Sequence, residues 1–245
     1  MNYDTYHLSA REWLIICGEY TLIILLISYL FYDSYFSLFV LMPFIILFIN
    51  WEKNKKCRKR RDELEKEFLK SLQSIATSLA AGYSPENAIK ESYSDMEKMF
   101  GKKAIIVKEL ELINGRIASG DRLEDALYDF AKRSQSAPIE DFAIIFSIGK
   151  KSGGRFSKII SSCVEIMQQT KETEEEIKVL IRGKQYEQRI MSIIPLGIIL
   201  YLRISSGSFM EVLYHNILGI IIMTICLILY VLSIIISEKI CQIEL

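Results

Sequence analysis

Hydrophobic and polar positions are sharply segregated along this chain. Four stretches, Trp13 to Phe31, Tyr35 to Trp51, Ile190 to Ser206 and Asn216 to Ser237, hold only Glu19 and Arg203 as charged residues. Each is about as long as a helix must be to cross ~30 Å of hydrocarbon. Only Tyr32, Asp33 and Ser34 separate the first two stretches, which predicts a membrane hairpin at residues 1–51. The last two predict a second hairpin at residues 190–245.

Between the hairpins, residues 52–189 follow a different rhythm. Leu64, Phe68, Leu72, Ile75 and Leu79 recur every three or four positions, the signature of one buried helical face. That helix is expected to stop at Gly82, a residue able to take the left-handed cap. Ser84-Pro85-Glu86 then supplies an N-cap hydroxyl, a proline where no amide bond is lost, and an acid at the positive helix end. A further helix is predicted over Ile105 to Ala118, ending near Gly120. Asp121-Arg122-Leu123-Glu124 has the form of a capping box, and Leu123, Ala126, Leu127, Phe130 and Ala131 form the face behind it. Pro138 opens the next helix, with Phe142, Ile145 and Ile148 inward and Gly153-Gly154 closing it. A last helix starts near Arg155, carries Ile159, Cys163, Ile166, Ile177 and Leu180, and is expected to run on into the third span. The fold class expected is therefore all-α: four transmembrane helices and a cytoplasmic bundle of about six helices.

Charge fixes the expected orientation. Of 30 Lys and Arg residues, 27 lie between positions 51 and 189, and seven crowd into Lys53, Lys55, Lys56, Arg58, Lys59, Arg60 and Arg61. Basic residues accumulate on the cytoplasmic side, so residues 52–189 and both termini are expected there, with the basic cluster anchoring on anionic membrane lipid. The apolar block near the N-terminus is too long for a cleavable leader and is expected to remain as a span. Thirty acids balance the thirty bases, and this zero net charge argues against a nucleic-acid partner.

Little chemistry is available. His7 and His215 are the only histidines, so residues 52–189 have none for Ser-His-Asp or Cys-His catalysis, a His-based metal site or a phospho-accepting histidine. Five cysteines without C-x-x-C spacing read as free thiols. Gly149-Lys150-Lys151-Ser152 lacks the first glycine of a P-loop, since Ile144 stands there, and reads as lysines at a helix C-terminus. No enzyme activity, cofactor or metal is expected. Glu172, Glu174, Glu175 and Glu176 point in different directions on a helix and cannot converge on one ion. They make either a solvated face or a docking patch. Glu19, roughly 9 Å into the first span, is expected to snorkel or pair, and Arg203 lies too far along to be its partner. Pro195 is expected to kink the third span.

Three junctions are alike: Ala81-Gly82-Tyr83-Ser84, Ser119-Gly120-Asp121 and Ser152-Gly153-Gly154-Arg155. With Ala88 after the first, Ala126-Leu127 after the second, and Ile194-Pro195 in the third span, their order resembles the type II secretion system F-domain family. It is most similar to tight-adherence (Tad) pilus platform proteins of the TadB and TadC type. Ile181-Arg182-Gly183-Lys184 departs from the small-residue stretch usual before the third span. The resemblance implies a non-enzymatic inner-membrane platform that couples a cytoplasmic secretion ATPase to pilin assembly or protein export. It also implies a second F-domain platform protein, pilin-like subunits and oligomerisation as partners, with Glu172, Glu174, Glu175 and Glu176 as the ATPase-docking face. The membrane subunit of an ATP-driven transporter is the competing reading, although two charges in four spans offer it little of a polar pathway.

Overall fold

A computed structural model of the protein describes residues 10–33, 42, 45–151, 155–205, 213–214 and 216–241. Among them are eight helices and no strand: α1 (Ala10–Phe31), α2 (Ile45–Ala80), α3 (Pro85–Phe100), α4 (Ile105–Ala118), α5 (Leu123–Ser134), α6 (Ala137–Lys151), α7 (Phe156–Ser205) and α8 (Ile217–Cys241). They fall into two compact units, one spanning Lys53–Thr173 and the other Leu8–Glu52 with Glu174–Leu245.

In the first unit, six helices contribute to one apolar core. The α2 face is the expected one, with Leu64, Phe68, Leu72, Ile75 and Leu79 all buried, and so is the α5 face from Leu123 to Ala131. Edge-to-face and tilted ring contacts run through the core from Phe130 to Phe68, Phe142, Phe146 and Phe156, at centroid spacings of 5.1 to 5.8 Å. Each such pair is worth about 0.5–1.5 kcal/mol beyond the area it buries. Gly149 lets α7 approach here, because a Cβ at that position would stand 3.2 Å from the Phe156 ring.

Two faces differ from expectation. On α6 the buried positions are Ile139, Phe142, Ala143 and Phe146, while Ile148 is exposed; on α7 they are Ile160, Cys163 and Val164, while Ile166 is exposed. Both helices carry more apolar residues than one face can bury, so periodicity alone could not select the inward ones.

The glycine stops act as expected. At Gly82 (φ +90°) the Tyr83 N–H reaches the Ser78 carbonyl at 3.1 Å, and at Gly120 (φ +95°) the Asp121 N–H reaches the Arg116 carbonyl at 3.0 Å. Both are the closing bond of a left-handed helix cap that favours glycine. Ser84 accepts the Asn87 N–H at 3.3 Å, with Pro85 in the first turn. The capping box at Asp121 does not form. Arg122 is the cap residue and makes no side-chain cap bond, because the Asp121 carboxylate is held by Arg116 Nε at 2.7 Å. A guanidinium within reach is a stronger donor than a backbone amide. The Gly153-Gly154 turn lies outside the described residues.

In the second unit, three helices among the described residues are long and apolar enough to cross a membrane: Arg11–Phe31, the apolar end of Phe156–Ser205, and Ile217–Ser237. The expectation was four. The stretch from Tyr35 to Trp51 lies mostly outside the described residues, of which Ile45 to Trp51 is helical. The third predicted span is the continuation of α7, whose 50 residues run unbroken past Pro195. Large apolar side chains such as Leu14, Ile204 and Ile217 point outward. Hydrocarbon, rather than water, stabilises such a surface.

Candidate functional site

In the first unit a single side chain ties two of the three motif junctions together. Lys150, in the last turn of α6, places Nζ 3.1 Å from Glu86 in the first turn of α3 and 3.3 Å from Glu124 in the first turn of α5. One ammonium therefore bridges two helix N-termini, each bearing its acid, from a helix C-terminus that favours a cation. Burial works against the charge on Lys150, yet the two carboxylates outweigh it and raise its pKa. Burial likewise pushes Glu124 up, but its own backbone N–H and Lys150 bring it below the usual carboxylate range.

This arrangement gathers Gly82-Tyr83-Ser84-Pro85 and Gly120-Asp121 at one end of the unit. Ala88, Ala126 and Leu127 are buried just behind them. From Asp121 an alternating line of charges runs inward: Arg116 contacts Asp121 at 2.7 Å and Asp129 at 3.3 Å, Arg133 contacts Asp129 at 3.0 Å, and Arg133 meets fully buried Glu109 at 2.7 Å. Burial works against the charge on Arg133, yet the hydrogen bonds it donates to Glu109 and Asp129 outweigh that and raise its pKa. Tyr83, Tyr128 and Ile148 add exposed apolar surface.

The other end is built from acids of α2. Glu65 accepts the Ser136 hydroxyl at 2.8 Å and pairs with Lys171 of α7 at 3.0 Å, and Glu67 accepts the Ile106 N–H at 2.9 Å. Sequence reasoning missed these acids and Lys150. The signal for Glu67 was present: an acid sitting beside Leu64 and Phe68 on a buried face needs a donor. Lys150 carried no such signal, because its partners come from two other helices.

The acidic run lies on α7. Glu172 accepts a hydrogen bond from Gln168 at 2.9 Å, and Glu172, Glu175 and Glu176 are exposed with Glu174 partly so. Among the described residues no group of three or more His, Cys, Asp or Glu side chains could hold a metal ion. Glu19 is exposed on α1 and does not meet Arg203. Arg203 instead pairs with Asp33 and the Tyr29 carbonyl, and its guanidinium lies 3.7 Å from the Tyr29 ring centre. Pro195 lies inside α7, where the nearby Ser192 carbonyl accepts the Tyr230 hydroxyl at 2.6 Å.

Residues 71–202, just over half the chain, match the family described as type II secretion system (T2SS), protein F. The chain belongs to that family. The match begins on the buried face of α2, takes in every helix junction just described, and ends on α7 past Pro195. No match is found among curated proteins or solved structures. Protein F family members are typically membrane platform proteins of secretion and pilus systems, structural rather than enzymatic, and they work with an ATPase and other platform proteins. A multi-pass inner-membrane protein is what that family and the three membrane-length helices describe.

Proposed function

We propose that this protein F family member is the inner-membrane platform of a Tad-type pilus or related type II secretion machine. It couples a cytoplasmic secretion ATPase to the assembly of pilin-like subunits or to protein export, alongside a second F-domain protein. The observation that carries this reading is the family match combined with α7, a single 50-residue helix with bundle core at its start and a membrane-length apolar stretch at its end. A helix of that length spans about 75 Å, and tilting or shifting one end displaces the other.

On this reading residues 52–189 form the cytoplasmic F-type domain, held there by the basic cluster from Lys53 to Arg61, and residues 190–245 form a hairpin that returns the chain to the same side. The acids Glu172, Glu174, Glu175 and Glu176 make the ATPase-docking face. Co-purification of the full-length chain with the secretion ATPase of its own operon tests the assignment. Wild type is expected to retain the ATPase and the triple variant Glu174→Lys, Glu175→Lys, Glu176→Lys to lose it. Equal retention removes the docking face, whereas failure of wild type to bind any secretion ATPase, or a reporter at residue 120 found outside the cytoplasm, removes the platform reading.

A further inference from the structure

Between Trp13 and Phe31 the only charged residue is Glu19. It is exposed, and among the described residues it makes no ion pair or hydrogen bond. It lies six residues past Trp13, about 9 Å into the span, and although its side chain leans toward the N-terminal end, it is too short to cover that distance. Arg203, the one cation in the other described spans, is taken by Asp33. An acid inside hydrocarbon is costly and almost always turns toward protein rather than lipid.

Glu19 also stands in a row. Ile15, Glu19, Leu22 and Leu26 follow one another at steps of four, three and four, and all four are exposed. The inward side of α1 is carried instead by Ile16, Tyr20, Ile24 and Ser28. Alternating steps of three and four define the seam of a helix pair, in which a single polar residue fixes the register and the number of helices. Gly18 flanks the row, and a Cβ there would meet nothing within 4 Å, so a second helix has room to come close beside the carboxyl.

Depth and hydrogen bonding decide which helix fits. A second copy in the same bilayer carries its own Glu19 at the same depth and, running parallel, sets it against the first. Two facing carboxyls that hold at least one proton between them bond to each other, so the row is complementary to itself. A span of another protein would need a donor at that one level. Between helices in lipid there is no hydrophobic drive, which leaves packing and this bond to hold the pair.

We propose that α1 pairs with α1 of a second copy of this chain, parallel and in register, through Ile15, Glu19, Leu22 and Leu26, with the two Glu19 carboxyls hydrogen-bonded to each other. The seam lies outside residues 71–202 and goes beyond the platform reading. It requires only that α1 cross a bilayer, and loss of ATPase binding would leave it untouched.

The test follows Förster transfer between donor- and acceptor-labelled full-length chains in phosphatidylcholine vesicles as added lipid dilutes them. Wild type is expected to associate. Glu19→Leu is expected to weaken association about tenfold, the loss of an interhelical hydrogen-bonded pair, whereas Glu19→Gln, which keeps a donor and an acceptor, stays within about twofold of wild type. Oxidation is expected to crosslink Leu26→Cys into dimers beyond the wild-type background, and not Leu14→Cys, one residue off the row. All these positions are exposed, so the fold of the chain is not at stake. Monomeric wild type at every dilution, Glu19→Leu associating like wild type, Glu19→Gln falling as far as Glu19→Leu, or Leu14→Cys crosslinking as well as Leu26→Cys would each overturn the proposal. The third of these results would mean that the carboxylate seeks a cation on another protein.

Discussion

Glu67, midway along α2, caps α4 from 39 residues away by accepting the Ile106 N–H at 2.9 Å. The cap residue of α4 itself is Ala104, which has no side chain able to do this. Leaving that helix end without its acceptor costs about 1 kcal/mol. Glu67→Ala is therefore expected to lower the thermal midpoint of the full chain in detergent, while Glu67→Gln, which keeps an acceptor, is not.

Glu67 also sets a pH dependence. Burial, reinforced by repulsion from Glu63, raises its pKa even though the backbone donors at Ile106 and Ile105 pull it down. A carboxyl whose folded pKa is raised contributes stability that is whole below its unfolded value and declines as pH rises through the folded one. A thermal-midpoint series from about pH 4 to 8 is expected to show that decline in wild type and a smaller one in Glu67→Gln. Parallel curves for the two proteins would refute it.

Glu109 is fully buried and meets the Arg133 guanidinium through two nitrogens, at 2.7 and 2.9 Å. Removing the cation from a buried pair is far more damaging than replacing both members with apolar groups. Arg133→Met is expected to cost about 3 kcal/mol or more by that principle, with sharply reduced yield of folded protein. Adding Glu109→Leu is expected to recover most of the loss. No recovery would mean that Glu109 serves a further contact.

The helices of the first unit were legible because each start and stop has a local cause: Gly82 and Gly120 at positive φ, Ser84 as a side-chain cap, Pro85 in a first turn. The α2 and α5 faces were equally legible, since charged residues flank them. The α6 and α7 faces were not, because Ile144, Ile148 and Ile166 are apolar yet exposed, and periodicity assigns such residues no direction. The Asp121 capping box failed because Arg116, five residues earlier, competes for the same carboxylate. Of the site, the sequence displayed three similar junctions but not what unites two of them, since Lys150 meets Glu86 and Glu124 across 64 and 26 residues.

That convergence on Lys150 is measurable as a coupling. Its side chain is a third exposed, so solvent screens the interaction and a double-mutant cycle of Lys150→Met with Glu124→Gln should return only about 0.5–1 kcal/mol. The sign with pH is the reverse of Glu67's: the contribution of lowered Glu124 is present above its unfolded pKa and fades as pH falls through the folded one. Lys150, raised, loses its share only as pH climbs through its own folded value. Coupling that vanishes at neutral pH would show that the two side chains do not meet in solution.

Arg203 gives the second unit a comparable test of geometry against charge. Its guanidinium pairs with Asp33 and the Tyr29 carbonyl, stacks 3.7 Å from the Tyr29 ring centre and lies 5.4 Å from that of Tyr214. The Tyr214 hydroxyl meanwhile donates to the Leu30 carbonyl at 2.6 Å, so two residues satisfy carbonyls left open at the end of α1. A lysine keeps the positive charge but cannot present several donors in one plane or stack on a ring. Arg203→Lys is thus expected to lower the thermal midpoint in lipid nanodiscs nearly as far as Arg203→Leu, a loss of about 1 kcal/mol from the stacking alone. Moderate salt should change neither loss, because contacts this close are poorly screened. If Arg203→Lys behaved like wild type, charge rather than planar geometry would be holding α1 to the rest of that unit.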